Sequence, residues 1–257
     1  MKTMKKLLYL FVASLLAFTS CSKDDNNSSD PASSILVKKI IDIDIDGSSS
    51  TRNYEYNGNK IVSMTEDGLL SKYTYTGDFI TKIEEIDASG KLDLTTEYSY
   101  TNGKLATSVE KNTNSKFYYK TKYTHNTDGT VTYDQFRGTV ATGAEEEYGA
   151  AGKYTFKDGN FVKLEVSYYG SESLYIYEYD TKNYPFKNVT GLSLLLDDET
   201  TANNVVKITG TSGTGDIIRT SIITYSYKYD TNNYPTEKVE RYQSGSSIST
   251  QTTQYTY

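Results

Sequence analysis

The amino-acid sequence predicts an all-β protein, an antiparallel meander of repeated β-hairpins wound into a strongly twisted curved sheet or a barrel. Three observations predict it. A Tyr-x-Tyr unit followed by a turn and an apolar residue recurs along most of the chain. The 26 tyrosines, the absence of tryptophan and the many threonines favour half-buried pleated surfaces over helices. Turn residues such as Asn102-Gly103 fall where a two-residue hairpin needs positive φ at both central positions.

Taken in chain order, the first element is an export signal. Lys2, Lys5 and Lys6 precede an apolar run from Leu7 to Phe18, too short to span a bilayer, and the small residues Thr19 and Ser20 stand before a cut site. Residues 1–20 are therefore expected to leave, which removes three lysines and takes the formal charge from −6 to −9. Cys21 is the sole cysteine and follows at once. With that thiol acylated, none remains for a disulfide, a metal site or nucleophilic catalysis. From 21 to 34 the chain is rich in Ser, Asp and Asn with little to bury, which suits a flexible tether. One domain is expected over 35–257, beginning near Ile35.

Within it, Asp42-Ile43-Asp44-Ile45-Asp46-Gly47 copies the opening half of a calcium loop, but the twelfth position, where a bidentate acid belongs, is Asn53. The alternation of Ile41, Ile43 and Ile45 instead predicts a first strand with its isoleucines inward and its acids turned to water.

The repeats follow, at Tyr54-Glu55-Tyr56, Tyr73-Thr74-Tyr75, Tyr98-Ser99-Tyr100, Tyr154-Thr155-Phe156, Tyr177-Glu178-Tyr179 and Tyr227-Lys228-Tyr229, with a half copy at Tyr255-Thr256-Tyr257. Five residues past the second aromatic stand Ile61, Ile80, Leu105, Phe161, Tyr184 and Tyr234. A fixed offset implies a fixed hairpin geometry, and about seven hairpins. In the copy at Tyr98 the Asn-Gly turn predicts that Tyr100 faces Leu105, Tyr98 faces Thr107 and Thr96 faces Val109. At Tyr73 and Tyr154 that pattern is disturbed, because Ile83 and Leu164 lie three residues past Ile80 and Phe161; a bulge or two partly buried faces would account for it. Pro185 and Pro235 mark strand starts or edges. An irregular insertion is expected at about 190–216, with Leu192 to Leu196 as a short helix or buried strand and Thr211 to Gly215 as a loop.

Two resemblances rest on these residues. Phe18-Thr19-Ser20-Cys21 resembles the lipobox of bacterial lipoproteins, and Ser22-Lys23-Asp24-Asp25 resembles the export tag of Bacteroidetes-type lipoproteins. The tyrosine repeats resemble the YD (Rhs-type) group and, more closely, the tyrosine-rich repeat lipoproteins of gut-type Bacteroidetes. The first resemblance implies an outer-membrane protein, lipid-anchored through Cys21 and exposed on the cell surface. The second implies stacked β-hairpins and no particular activity.

Candidate chemistry is sparse. His125 is the lone histidine, yet Tyr123-Thr124-His125 occupies the Tyr-x-Tyr slot, so it stands where a repeat has its second tyrosine. The acid runs Glu145-Glu146-Glu147 and Asp197-Asp198-Glu199 could supply two carboxylates of a glycosidase, although like-charge runs are usually solvated. Tyrosines outside the repeat frame, Tyr118, Tyr119, Tyr168, Tyr169 and Tyr175, are the candidate binding surface, since exposed rings stack on sugars and anchor protein partners. An acidic surface without a basic, aromatic-interleaved patch argues against nucleic acid. No cofactor and no metal ion are expected. These observations predict a surface-tethered, non-catalytic binding or scaffold module for a glycan or protein partner; a glycan-active hydrolase and an envelope carrier of lipid are the alternatives.

Overall fold

A computed structural model describes residues 34–196, 201–214, 217–245 and 247–257. Sixteen antiparallel strands run in sequence order round a closed barrel. They are β1 (Lys39–Ile43), β2 (Ser49–Asn57), β3 (Lys60–Glu66), β4 (Leu69–Thr76), β5 (Phe79–Ile86), β6 (Leu92–Thr101), β7 (Lys104–Asn112) and β8 (Phe117–His125). Then come β9 (Val131–Thr139), β10 (Glu145–Lys157), β11 (Asn160–Tyr168), β12 (Ser171–Tyr179), β13 (Val205–Thr214), β14 (Ile217–Tyr229), β15 (Pro235–Ser244) and β16 (Ser247–Thr256). Pairing of β1 with both β16 and β2 closes the ring and leaves no sheet edge. The barrel, rather than the open curved sheet, is the architecture.

The repeat explains one end of this barrel. Each Tyr-x-Tyr ends an even-numbered strand, and Ile61, Ile80, Leu105 and Phe161 stand at the start of the next one, whereas Tyr184 and Tyr234 lie in the connections. Val37, before β1, and Tyr257, after β16, lie at this same end. Tyr56 pairs with Ile61, Tyr75 with Ile80, Tyr100 with Leu105 and Phe156 with Phe161, and all four apolar partners are buried. Tyr234 is buried as well, whereas Tyr184 is half-buried in the connection after β12.

The bulge expected in two copies is present in six. Register shifts between Glu55/Tyr56, Thr74/Tyr75, Ser99/Tyr100, Thr155/Phe156, Glu178/Tyr179 and Lys228/Tyr229. The extra residue follows the buried apolar one, so both Ile80 and Ile83 face inward, as do Phe161 and Leu164. The copy at Tyr98 corrects the sequence expectation: Tyr100 does face Leu105, but Tyr98 faces Ser108 and Thr96 faces Glu110. An Asn-Gly turn sets the register only as far as the bulge at Ala106, beyond which every partner moves by one.

The first strand is also turned the other way. Ile40 is buried, and Asp42 faces inward, accepting from Arg52 Nη2 at 2.5 Å and from Thr253 Oγ1 at 2.6 Å. Ile41 and Ile43 face outward, and Ile45 is 75% exposed in the turn. Burial of Val37 and Ile40 in one cluster with Ile61, Phe186 and Val189 outweighs the alternation of the later isoleucines.

Among the described residues, the irregular segment comprises 180–196 and 201–204 and does not reach 216. Thr211 to Thr214 belong to β13, so the expected loop there is strand. Leu192–Leu194 form a single turn of 3-10 helix, and the following Leu195 is buried. This segment lies across the tyrosine end as a plug. Thr190 N donates to Asn59 O at 2.9 Å, Asn183 N to Asn233 O at 3.0 Å, and Asn160 Oδ1 accepts from Ala202 N at 2.9 Å and Asn203 N at 3.0 Å. Asn59 and Asn233 belong to the β2–β3 and β14–β15 turns and Asn160 is the first residue of β11, on separate parts of the rim. Gly191 passes so close to the β4–β5 turn, with φ of 80°, that a Cβ would stand 2.6 Å from Asp78 O.

Candidate functional site

The inner wall near the plug is a ladder of tyrosines. In most repeats a tyrosine hydroxyl donates to a backbone carbonyl one hairpin back: Tyr56 to Val37 at 2.7 Å, Tyr100 to Ile80 at 2.7 Å, Tyr179 to Phe161 at 2.6 Å, Tyr227 to Val205 at 2.7 Å and Tyr257 to Pro235 at 2.9 Å, whereas Tyr75 donates to Thr190 O of the plug at 3.2 Å, Tyr229 to Asp180 Oδ2, and Phe156 has no hydroxyl. Burial pushes the Tyr56, Tyr179, Tyr227 and Tyr257 phenols well above the ordinary tyrosine range, and Tyr75 up to about 12. These rings are therefore neutral donors that satisfy carbonyls the bulges leave outside the ladder. His125 does the same, with Nε2 at 2.8 Å from Leu105 O. A carbonyl only accepts, so Nε2 carries the proton.

Between plug and wall lies a cavity of about 500 Å³. Tyr175, Tyr177, Tyr225, Tyr227, Tyr255 and Phe186 supply its rings, and Arg52, Lys238, Asn204 and Thr253 interrupt them with polar groups. Lys238 Nζ stands 5.7 Å from the Tyr225 ring centroid.

The five candidate tyrosines fall in three places. Tyr175 lines this cavity, its ring packed over Gly210 of the next strand. Tyr118 is on the outer wall, where its ring covers Gly138 and its hydroxyl donates to Glu145 Oε1 at 3.1 Å, beside Lys120. Tyr119, Tyr168 and Tyr169 are brought together at the end opposite the plug, the mouth. There they join residues that the sequence reasoning passed over: Tyr148 with its centroid 4.9 Å from Tyr119, Phe117, and Arg137 with its guanidinium 4.7 Å from the Phe117 centroid. Arg137 donates from Nε to Glu146 Oε1 at 3.0 Å and also from Nη2. The one signal for this cluster is Gly149, whose missing side chain leaves room for the Tyr169 ring.

Glu145 and Glu146 do not converge. Glu145 and Glu146 pair on opposite faces of the wall, Glu145 with Lys120 outside and Glu146 with Arg137 inside. Asp197-Asp198-Glu199 lie outside the described residues, as do Cys21 and Ser22 to Asp25. Among the described residues, no group of three or more His, Cys, Asp or Glu is placed to hold a metal ion. Asp46 is engaged by Ser48, whose backbone N–H and hydroxyl hold its carboxyl below the usual range, and Asp44 accepts from Gln251.

The outer wall is charged. Outward positions carry the ion pairs Lys82–Glu84, Lys111–Glu97, Lys163–Glu165, Lys207–Glu178 and Lys228–Glu237, at 2.9, 2.7, 3.0, 2.7 and 2.8 Å. Exposed apolar residues such as Ile176 and Ile222 are set among these pairs.

These features define the protein as an all-β, antiparallel, sixteen-stranded closed barrel with one plugged end. The same fold is found in a porin-like protein from Bacteroides vulgatus ATCC 8482, with a TM-score of 0.58 and 15% identity over 87% of this chain and 99% of that one. A porin-like protein from Bacteroides uniformis ATCC 8492 superposes with a TM-score of 0.53 and 13% identity, over 86% of this chain and 97% of that one. No protein-family model matches the sequence, and no curated protein matches it.

Proposed function

We propose that the protein is a non-catalytic binding or scaffold module of the outer membrane, held at the cell surface by an acylated Cys21, with its barrel standing in water. The observation that carries this reading is the outer wall. A barrel that crosses a bilayer presents an apolar band about 25 Å tall, and each lysine or arginine on that band costs roughly 2–4 kcal/mol at the midplane. Here the corresponding positions hold paired lysines and glutamates, which water solvates and hydrocarbon does not. The plug formed by residues 180–196 and 201–204 across the tyrosine end further suits a vessel or platform better than a through channel. The fold of the two Bacteroides porin-like proteins and the lipobox-like Phe18-Thr19-Ser20-Cys21 both support an outer-membrane setting.

The alternatives fare less well on geometry. A hydrolase needs two carboxylates facing one cleft, while the neighbouring Glu145 and Glu146 are committed to cations on opposite faces. A lipid carrier needs a continuous apolar concavity, and Arg52, Lys238 and Asn204 break the wall of this one.

Replacement of Cys21 by Ser tests the reading. The expected result is a folded barrel recovered without detergent, whereas the native chain fractionates with the outer membrane and is shaved from intact cells by protease. A Cys21→Ser barrel that still requires detergent, or a native barrel that conducts ions across a planar bilayer, would overturn it.

A further inference from the structure

The tethered-binder reading acquires a place and a ligand class at the barrel mouth. Tyr119, Tyr148, Tyr168 and Tyr169 form one aromatic run, with centroid separations of 4.9 Å (Tyr119 to Tyr148), 6.4 Å (Tyr148 to Tyr168 and to Tyr169) and 4.7 Å (Tyr168 to Tyr169). Interplanar angles between 62° and 74° make every contact edge-to-face, each setting the edge of one ring against the face of its neighbour. Tyr169 is 68% exposed and Tyr168 47%. Rings so exposed and so clustered are uncommon where no ligand or partner covers them.

The backbone under Tyr169 also departs from what a plain hairpin would use. Tyr169 and Gly170 are the central residues of the β11–β12 turn, with φ of 46° and 81°. The non-glycine residues that adopt the same conformation before a glycine elsewhere are Asp67, Asn102 and Asp158, all types that tolerate it. A bulky ring does not gain there from turn chemistry. Opposite it, Gly149 has a φ of 73°, and any Cβ on it would stand 2.5 Å from the Tyr169 ring. Two positions on different strands thus both serve the placement of one exposed ring.

Charge narrows the ligand. Arg137 is already balanced by Glu146 through two donors, and Glu110 stands close enough to act on Tyr119. The cradle consequently has no excess positive charge with which to draw an anion. It offers ring faces, phenol hydroxyls that donate and accept, and a neutralised guanidinium fork. A pyranose complements that set, since its C–H face packs on an aromatic face while its hydroxyls bond to the phenols. The rings line the inner side of the wall, so a narrow chain entering the mouth reaches them more readily than a folded protein does.

We propose that the Tyr119, Tyr148, Tyr168 and Tyr169 cradle is a binding site for an uncharged polysaccharide, with a sugar ring stacked on Tyr169. Native affinity gels of the purified mature lipoprotein in mild detergent, cast with amylopectin, xyloglucan, galactomannan or polygalacturonate, test it. Retardation by at least one of the three neutral polymers is expected. Tyr169→Asn should keep or raise the urea midpoint, because Asn-Gly suits the turn, while weakening retardation at least tenfold. Tyr118→Phe, on the outer wall, should leave it unchanged. Retardation by no neutral polymer, by polygalacturonate alone, undiminished in Tyr169→Asn, or replaced by capture of a protein on the same rings would each overturn the proposal. In any of those cases detergent-free recovery of the Cys21→Ser barrel would show that the tethered reading stands by itself.

Discussion

The imidazole of His125 donates to the carbonyl of Leu105 at 2.8 Å, the same bond that the Tyr100 hydroxyl makes to Ile80 at 2.7 Å one hairpin earlier. The lone histidine of the chain is therefore a member of the tyrosine ladder. His125→Ala removes the donor and leaves a carbonyl beside a buried leucine unsatisfied, which should lower stability by about 1–2 kcal/mol. His125→Tyr restores the donor and should lie within about 0.5 kcal/mol of the native chain. Urea midpoints followed by far-UV circular dichroism check both; a His125→Tyr chain as unstable as His125→Ala would show that the bond is not the ladder bond.

The same ladder predicts failure in alkali. Burial raises Tyr56, Tyr75, Tyr179, Tyr227 and Tyr257, so the folded chain holds these phenolic protons more tightly than the unfolded chain. Below about pH 10, the ordinary tyrosine value, both states are protonated and these groups give no pH dependence. Above it the unfolded chain releases protons first, so stability falls as pH rises, by up to about 1.4 kcal/mol per pH unit for each fully buried phenol and less for half-exposed ones. For Tyr75 the loss runs to about pH 12, its folded value. Unfolding midpoints from pH 8 to 11, read beside tyrosinate absorbance, should stay level and then drop near pH 10. Full ionisation of all 26 tyrosines in a chain that is still folded near pH 10 would contradict the account, since only the exposed phenols should ionise before unfolding.

The plug has its own sensitive position. At Gly191, with φ of 80°, an added Cβ would meet the Asp78 carbonyl at 2.6 Å. Gly191→Ala combines the left-handed penalty of about 1–2 kcal/mol with that contact, so a loss of about 2 kcal/mol or more is expected. Limited proteolysis should cut within the plug residues 180–196 or 201–204 before any strand of the wall is cut. Simultaneous loss of plug and wall would mean that the segment is part of the wall's cooperative unit.

Local periodicity makes much of the wall legible in the sequence. Ile61, Ile80, Leu105 and Phe161 are buried where a constant offset from Tyr56, Tyr75, Tyr100 and Phe156 puts them, because a short turn fixes its immediate neighbours. The bulge at Ala106 was illegible, since an extra residue changes partners without changing composition. The plug was half legible: Leu192 to Leu196 stood out, but its contacts with Asn59, Asn160 and Asn233 join residues far apart in sequence. At the mouth, Tyr119, Tyr168 and Tyr169 stood out by lying off the repeat, whereas Tyr148 and Arg137 gave no local sign. β8 through β11 are neighbours in the meander, but which of their side chains meet at the rim depends on strand register, including the irregular β9–β10 pairing between Glu147 and Ala151.

The seam of that barrel depends on a residue whose direction the alternation misread. Asp42 on β1 joins Arg52 of β2 to Thr253 of β16, at 2.5 and 2.6 Å, and Glu66 stands 3.9 Å from Arg52 Nε. Since β1 has only five residues, its side-chain bonds carry a larger share of closure than those of any longer strand. Asp42→Asn keeps the shape and can still accept from Thr253 but loses the charge that Arg52 faces. A loss of about 1–2 kcal/mol is expected, because hydrogen bonds to charged groups contribute about 1.5–3 kcal/mol and the amide retains part of one. Asp42→Leu should cost more, as it strands the half-buried guanidinium, and Asp42→Leu combined with Arg52→Met should recover much of the difference because neither charge is then left facing the interior. Amide hydrogen exchange at Ile41 and Ile43 locates the effect. Faster exchange there than in β6 or β7 would place the opening at the seam, and uniform acceleration round the barrel would show that Asp42 supports the whole wall and not the closure.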